Sequence, residues 1–240
     1  MKFKRIVVEK IKSAKRGFAL TGAGISAPSG IPTFRGENGF WKDKDPRELA
    51  SLEGFEKNPE RVWDWYNERR AIIRKTKPNP AHYALIEMEN SFEQFAIITQ
   101  NIDNLHEEAG SRNVIKLHGN IFRNKCSECG KLFNDIESKE IPRCDECGGL
   151  IRPDVIWFGE ALPKEVLKRA IQWSELSDIC IVIGTSAMVQ PASSLPLFAR
   201  ENGAFVLEIN KNQTVISSYA NETILGQVET ILPELSKIGI

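Results

Sequence analysis

Five short apolar runs, at residues 17–21, 95–99, 114–117, 179–183 and 204–209, constrain the fold of this chain more than any other feature. Each has the length of a buried strand and is apolar nearly throughout, which is the pattern of a strand covered on both faces. Helical patterns lie between several of them, including residues 81–89 and 163–173. Such alternation predicts an α/β fold, a Rossmann-like parallel sheet with helices on both faces. A chain of 240 residues accommodates one large domain with a smaller appendage and buries roughly 70% of its unfolded surface.

Two stretches break the alternation. Residues 28–76 are punctuated by Pro and Gly and carry one strong helix, and a four-cysteine cluster lies near residue 135. The expected division places residues 1–35, 77–121 and 153–240 in the Rossmann-like domain. Residues 36–76 form a helical insertion and 122–152 a cysteine ribbon, together a smaller lobe. There is no internal repeat and no low-complexity segment.

Lys plus Arg and Asp plus Glu are balanced at 32 each, so no global field draws in nucleic acid, an anionic membrane or acidic substrates. The start, Met1-Lys2-Phe3-Lys4-Arg5, is too charged for a secretory signal, and no window approaches the ~18 apolar residues of a membrane span. A soluble cytoplasmic protein is expected.

Cys126, Cys129, Cys144 and Cys147 form C-x2-C-x14-C-x2-C, one residue tighter than the usual spacing of paired zinc knuckles. Gly130 and Gly148-Gly149 follow the two pairs and let the backbone turn its N–H groups toward sulfur. Four thiolates close a tetrahedral shell, so one Zn2+ bound there is structural. Two disulfides are the competing reading, disfavoured in a reducing compartment. Residues 122–152 hold six basic and six acidic side chains, which argues against direct nucleic-acid binding by the ribbon. Cys180, inside an apolar run, reads as a small buried hydrophobe.

Gly22-Ala23-Gly24-Ile25-Ser26-Ala27 fits G-x-G-x-x-A directly after a strand, as a dinucleotide fingerprint does. The motif alone is weak, since a tight strand-to-helix turn explains it equally well. No second strand ending in Asp or Glu follows some 20 residues on. Instead the chain enters Pro28-Ser29-Gly30-Ile31-Pro32-Thr33-Phe34-Arg35-Gly36, a loop that could fold over a cofactor.

Taken in order, the chain resembles the sirtuins, NAD-dependent protein-lysine deacylases. The resemblance rests on the segment from Gly22 through Arg35, Thr99-Gln100-Asn101-Ile102-Asp103, Leu117-His118-Gly119, the four cysteines, Pro153 with Trp157-Phe158-Gly159-Glu160, Gly184-Thr185-Ser186 and Glu208-Ile209-Asn210. It covers nearly the whole chain. Departures are small: Pro28 stands where an acidic residue is common, and the interval between cysteine pairs is short.

The resemblance implies that NAD is the co-substrate. Gly22, Ala23, Gly24 and Ser26 with the Phe34-Arg35 loop would wrap it, and Gln100, Asn101, Ile102 and Asp103 would face nicotinamide. Gly184, Thr185, Ser186, Asn210 and Lys211 would lie on the adenosine side, with Val228 touching adenine. His118 is the expected base, and Asn101 and Asp103 are expected to take part in catalysis. The acyl oxygen would attack C1′ of the ribose and release nicotinamide. A base of near-neutral pKa would then free a ribose hydroxyl, giving O-acyl-ADP-ribose and lysine. Among the three histidines, His82 opens an amphipathic helix and reads as a hydrogen-bonded core residue, while His106 sits on a helix leading away from the strand end. His118 stands where a parallel-sheet crevice opens.

Partners are then acylated-lysine proteins or peptides, with chromatin proteins among the candidates and no membrane. Val155, Trp157, Phe158 and Gly159 are expected to receive the peptide as an added β-strand. Asn58-Pro59 starts a helix over residues 60–75 whose apolar face carries Val62, Trp65, Tyr66, Arg69, Ile72 and Ile73. Tyr66-x-x-Arg69, with the small Ala50, resembles the feature by which one sirtuin class reads a succinyl or malonyl carboxylate. The competing expectation pairs Arg69 with Glu53 or Glu56. Other functions in play are a mono-ADP-ribosyltransferase using the same NAD site, a non-catalytic zinc-ribbon regulator and an NAD dehydrogenase.

Overall fold

The computed structural model describes residues 2–34 and 39–238. Six strands form one sheet: β1 (Arg16–Thr21), β2 (Gln94–Thr99), β3 (Val114–Lys116), β7 (Ile179–Ile183), β8 (Phe205–Asn210) and β9 (Glu222–Leu225). Their order is β3-β2-β1-β7-β8-β9 and every neighbouring pair is parallel. Counted among themselves these strands run 3-2-1-4-5-6, the doubly wound order, so the chain reverses direction across the sheet between β1 and β7.

Alternation along the strands fills two cores. Ala19, Ile97, Ile181 and Leu207 point to one face, where they meet Val7 and Ile11 of α1 (Arg5–Ser13), Ala84, Leu85 and Met88 of α6 (Pro80–Ser91), and Ile231 and Leu235 of α10 (Val228–Ser236). Phe18, Leu20, Ile98, Val182 and Val206 point the other way, toward Ala170 of α8 (Lys164–Leu176) and Leu195 and Ala199 of α9 (Leu195–Glu201). Both faces are covered, which is why β1, β2 and β7 read as unbroken apolar runs.

A second sheet is small and antiparallel, with β4 (Gly119–Cys126) between β5 (Leu132–Phe133) and β6 (Ile151–Val155). Three helices pack beside it: α3 (Pro46–Leu49), α4 (Leu52–Lys57) and α5 (Pro59–Ile73). A third core joins Leu49, Phe55, Val62, Trp65 and Tyr66 of this helical stretch to Ile121, Val155 and Trp157. Asn58 caps α5 by accepting from the Arg61 N–H at 3.1 Å, and Pro59 holds the first helical position.

Several elements differ from the sequence expectation. The fingerprint opens only α2 (Ala23–Ser26), one turn that passes into a 3-10 turn at Ala27–Ser29, not a long helix. On α5, Ile72 is exposed, while Trp63 and Arg70 are buried with Val62, Trp65, Tyr66, Arg69 and Ile73. The buried surface of α5 is thus broader than one stripe, because the helix is sandwiched between the small sheet and segments of the insertion. Strand β9 and helices α1, α9 and α10 were not among the elements expected from the sequence.

Candidate active site

The reversal between β1 and β7 places two backbone turns in direct contact. Gly22 N–H donates to Ile183 O at 3.0 Å, and Gly24 N–H to Gly184 O at 2.8 Å. A Cβ on Gly24 would stand 2.7 Å from Gly184 Cα, and one on Gly22 would stand 2.7 Å from Thr185 Cβ. From sequence these glycines fit a dinucleotide fingerprint and a tight strand-to-helix turn equally well. The structure shows a nearer cause: the two turns fit only without side chains, and Gly184 also has φ +57°.

A polar network lines the crevice beside this junction. Asn101, 3% exposed, donates through Nδ2 to Gly22 O at 3.1 Å and to Ser26 Oγ at 3.2 Å. Ser26 Oγ donates in turn to Asp103 Oδ2 at 3.0 Å, and the Leu105 N–H donates to Asp103 Oδ1 at 3.1 Å. Burial pushes the Asp103 carboxyl above the usual range, and these two hydrogen bonds oppose it. Gln100 Nε2 donates to Thr185 Oγ1 at 2.9 Å, and Asn210 Nδ2 donates to Thr185 O at 2.8 Å. Lys211 N–H donates to Asn210 Oδ1 at 2.9 Å, with its side chain exposed. The glycine turn, the 100–103 segment and the ends of β7 and β8 are thereby one connected wall. Ala23 is half-buried, Ile102 buried and Ser186 exposed. Val228, 5% exposed, starts α10 and belongs to the core with Ile183 and Ile209. Phe34 is half-buried, and Arg35 lies outside the described residues.

The three histidines occupy different environments. His82 Nδ1 accepts from the Asn79 N–H at 3.2 Å, completing the cap of α6, and burial pushes its pKa down to about 4. His106, on α7 (Leu105–Ala109), is 1% exposed with Nε2 3.0 Å from Thr21 Oγ1, and burial holds its pKa well below the usual value. His118 is half-buried just beyond β3. Its Nδ1 lies 2.9 Å from Gln100 O. A carbonyl only accepts, so Nδ1 carries the proton and Nε2 keeps its lone pair. Burial lowers the His118 pKa, with the Gln100 bond opposing it, so the ring is neutral and basic at pH 7. Thr21 Oγ1 donates to Thr99 Oγ1 at 2.8 Å, which accepts from the Asn101 N–H at 3.1 Å. This hydroxyl chain carries no sequence motif and was missed.

His118 also marks the meeting of the two sheets. Its carbonyl accepts from Ile156 N–H at 3.0 Å, and Gly119 pairs with Val155 in the β4–β6 register. Beyond β6, Val155 and Trp157 are buried while Phe158 and Gly159 are exposed. Phe158 N–H donates to Ala50 O at 2.8 Å, and Trp157 N–H to Glu160 Oε2 at 2.8 Å. The N–H groups of 156, 157 and 158 are therefore all engaged within the chain.

Tyr66 shares a core with Ala50 and Trp157, and Arg69 lies beside it, its guanidinium carbon 5.5 Å from the Tyr66 ring centroid. Trp157 Nε1 donates to Tyr66 Oη at 2.8 Å. Arg69 is 3% exposed and its Nε makes no hydrogen bond among the described residues; neither Glu53 nor Glu56 pairs with it. Burial lowers its pKa to about 10, so it remains charged at pH 7. Arg70, its neighbour, is the contrast: it donates to Ile121 O at 2.8 Å, Asn67 Oδ1 at 3.0 Å and Asn124 Oδ1 at 2.5 Å. Arg70 ties α5 to β4 and was not foreseen as distinct from an exposed charge.

The four cysteine sulfurs all lie within 4.8 Å of one another, with Cys126–Cys147 at 3.4 Å and Cys129–Cys144 at 3.7 Å. A disulfide needs about 2.05 Å, whereas sulfurs at the corners of a zinc tetrahedron with ~2.3 Å bonds stand roughly 3.8 Å apart. The thiols are free of disulfides and fit one zinc ion. Gly130 and Gly148, at φ +73° and +75°, make the knuckle turns.

The Sir2 family model matches residues 22–191. An NAD-dependent protein deacylase 1 of Caldanaerobacter subterraneus subsp. tengcongensis is 51% identical over 241 aligned positions, covering 98% of this chain and 99% of that protein. An NAD-dependent protein deacylase of Pyrococcus abyssi is 46% identical, covering 95% of each. Among solved structures, a Sir2 homolog in complex with NAD superposes with TM-score 0.94 at 44% identity, covering 99% of this chain and 94% of that one. A Sir2 bound to acetylated peptide superposes with TM-score 0.87 at 33% identity, covering 100% and 99%. The doubly wound sheet, the glycine junction beside the His118 crevice and the four-thiol cluster therefore have one explanation, that this chain belongs to the Sir2 family.

Proposed function

We propose that the chain is an NAD-dependent protein-lysine deacylase acting on acetyl-lysine and, through Arg69, on succinyl- and malonyl-lysine. The observation that carries the reading is His118: a half-buried neutral imidazole, oriented by the Gln100 carbonyl, with Nε2 making no hydrogen bond among the described residues where the two sheets meet. The relatives named as NAD-dependent protein deacylases and the neighbours solved with NAD and with acetylated peptide support it.

The crevice residues fit NAD. Gly22, Ala23, Gly24 and Ser26 would wrap it together with Phe34 and Arg35, and Gln100, Asn101, Ile102 and Asp103 would face its nicotinamide side. Gly184, Thr185, Ser186, Asn210, Lys211 and Val228 would hold the adenosine side. When bound, NAD supplies a ribose carbon activated by a departing nicotinamide. Asn101 and Asp103, fixed to each other through Ser26, orient what enters beside the glycine junction. His118 Nε2 takes the proton of a hydroxyl presented at the crevice mouth. Zinc held by Cys126, Cys129, Cys144 and Cys147 would be structural, because four thiolates leave no site for substrate. A cytoplasmic setting, where thiols stay reduced, completes the proposal.

An acyl-lysine peptide would lie along Val155, Trp157, Phe158 and Gly159. Since the N–H groups of 156–158 are already used, this segment would offer carbonyl acceptors to it. The small Ala50 side chain would leave room for a longer acyl chain, and Tyr66, held by Trp157, stands beside Arg69. A buried, charged arginine whose Nε makes no hydrogen bond among the described residues, with Asp103 as its one attracting carboxylate, can take a further anion.

Mass spectrometry of matched acetyl- and succinyl-lysine peptides incubated with NAD tests both levels. The proposal predicts loss of the acyl mass from each peptide. Added ADP-ribosyl mass on the peptide, with the acyl group retained, would indicate a transferase instead. Arg69→Met should lower kcat/KM on succinyl-lysine at least ~10-fold while leaving acetyl-lysine within about twofold. Equal losses would remove the carboxylate-reading role.

A further inference from the structure

Two side chains tie the loop that follows β2, residues 100–104, to the strand end that carries the base. One is His118, whose Nδ1–H donates to Gln100 O. The other is Lys116, the last residue of β3. Its ammonium donates to Asp103 O at 2.6 Å and to Asn104 Oδ1 at 2.5 Å, and pairs with Glu107 Oε1 of α7 at 2.9 Å. An ammonium has three N–H donors and no acceptor, so its whole donor set is used on one short stretch of chain. The Lys116 side chain is only 14% exposed, which keeps water from competing freely for these acceptors.

The local structure forgoes an ordinary helix cap to make this clamp. Asn104 occupies the cap position of α7, where an Asn side chain normally accepts from the first N–H groups of the helix. It makes no such bond and gives Oδ1 to Lys116 instead, while Asp103 Oδ1 takes the Leu105 N–H. Leu117 N–H donates to Thr99 O and Ile121 N–H to Ile102 O, both at 2.9 Å, so backbone pairing fixes the loop at residues 99 and 102. Past Ile102 it is the lysine that holds the chain. Asp103, 5% exposed, is the buried acid of the crevice. Burial raises its pKa; the Leu105 and Ser26 hydrogen bonds and the Lys116 charge lower it, against Glu107. Arg69 attracts the same carboxylate from the other lobe.

We infer that Lys116 is a positioning residue for the nicotinamide-side chemistry, clamping the 103–104 turn to β3 so that the Asp103 carboxylate and the His118 imidazole keep one relative placement. Only Leu117 separates Lys116 from His118, so one strand end carries both the clamp and the base. The inference rests on the proposed deacylase reading and adds to it a residue outside the crevice wall. The adenosine side is framed by other contacts: Thr185 meets Gln100 and Asn210, and neither bond involves the lysine. Loss of the clamp therefore acts on the nicotinamide end of the dinucleotide and spares the ADP-ribose end. A displacement of about 1 Å at a reacting group costs up to roughly 100-fold in rate.

The test uses Lys116→Met, which keeps an unbranched stem and removes every donor, with thermal unfolding as a check of folding. Calorimetry in the presence of acetyl-lysine peptide compares two ligands: carba-NAD, an unreactive analogue that carries nicotinamide, and ADP-ribose, which lacks it. Carba-NAD should bind about fivefold more weakly to the variant, with ADP-ribose within about twofold of native. In turnover, kcat should fall about tenfold with the peptide KM within about twofold. General loosening of the fold would weaken both nucleotides alike, so equal weakening, or none, in folded Lys116→Met overturns the inference. Asn104→Ala removes one acceptor of the clamp and leaves the lysine. It should shift the carba-NAD to ADP-ribose affinity ratio about two- to threefold in the same direction; should Lys116→Met not fold, an unchanged ratio in Asn104→Ala overturns the inference. In the double variant the two losses should fall short of their product, since they share a bond; a full product would separate the residues and defeat the clamp. A native chain that binds neither nucleotide removes the deacylase reading and the inference together. Native binding of both, with unselective loss in the variants, defeats only the clamp.

Discussion

His118 shows how one backbone contact sets a residue's chemistry. The Gln100 carbonyl places the proton on Nδ1 and so leaves Nε2 as base, while burial keeps the ring neutral. A pKa lowered in the folded state means the unfolded chain binds more protons on acidification. This group's contribution to stability is therefore present above the unfolded value of about 6.5 and is lost as pH falls below it. Activity has the same sign, because only the neutral ring accepts a proton. The kcat/KM profile should hold from pH 7 upward on this limb and fall tenfold per unit in acid, with a midpoint below about 6.5. A midpoint above pH 7 would contradict the burial argument. His82 and His106 are held neutral in the core by the same cause but lie away from the crevice mouth, which separates them from His118 in a way their sequence context only suggested.

At the scale of elements, the glycine turn after β1 and the one after β7 are a single packed unit. Gly184→Ala would place its Cβ 2.7 Å from Gly24 C and Ile25 N, at a φ of +57° that disfavours any side chain. Thermal and urea unfolding should report a loss of roughly 1–3 kcal/mol, and the KM for NAD should rise because the same atoms frame the crevice. Unchanged stability would mean the turns separate more readily than their contacts imply. Legibility in the sequence follows how an element is buried. Strands β1, β2 and β7 were readable because both faces are covered. Strand β9 was not, since it sits at the sheet edge with mostly half-buried, mixed residues, and α1 sets Val7 and Ile11 among the charged residues Lys4, Arg5, Glu9, Lys10 and Lys12. The same distinction applies to the site. His118, the glycines and the cysteines announce themselves by type and spacing, whereas the contacts of the Phe34 and Phe40 rings with Arg69 and the Thr21–Thr99 hydroxyl pair arise only when segments distant in sequence pack together.

On the scale of the whole molecule, two sheets with separate cores meet at His118, Gly119 and the segment beyond β6. The four-thiol cluster lies at the far end of the small sheet, where β4 reaches Cys126. Its metal would act on the crevice through β4 and β6 and through α5, whose Trp63 and Asn67 both donate to Ser138 O of the ribbon. Stripping zinc with a strong chelator should abolish activity as the ribbon loosens; Zn2+ should restore it where Mg2+ fails, since thiolates select the softer ion. Full activity in metal-free protein would separate the ribbon from the site. The central claim, that His118 serves NAD-dependent acyl transfer from lysine, is tested most directly by the small-molecule product formed from NAD and acetyl-lysine peptide. The account predicts one O-acetyl-ADP-ribose for each nicotinamide released in the native chain and none from folded His118→Ala. Free acetate with plain ADP-ribose from the native chain, or undiminished O-acetyl-ADP-ribose from His118→Ala, would contradict it.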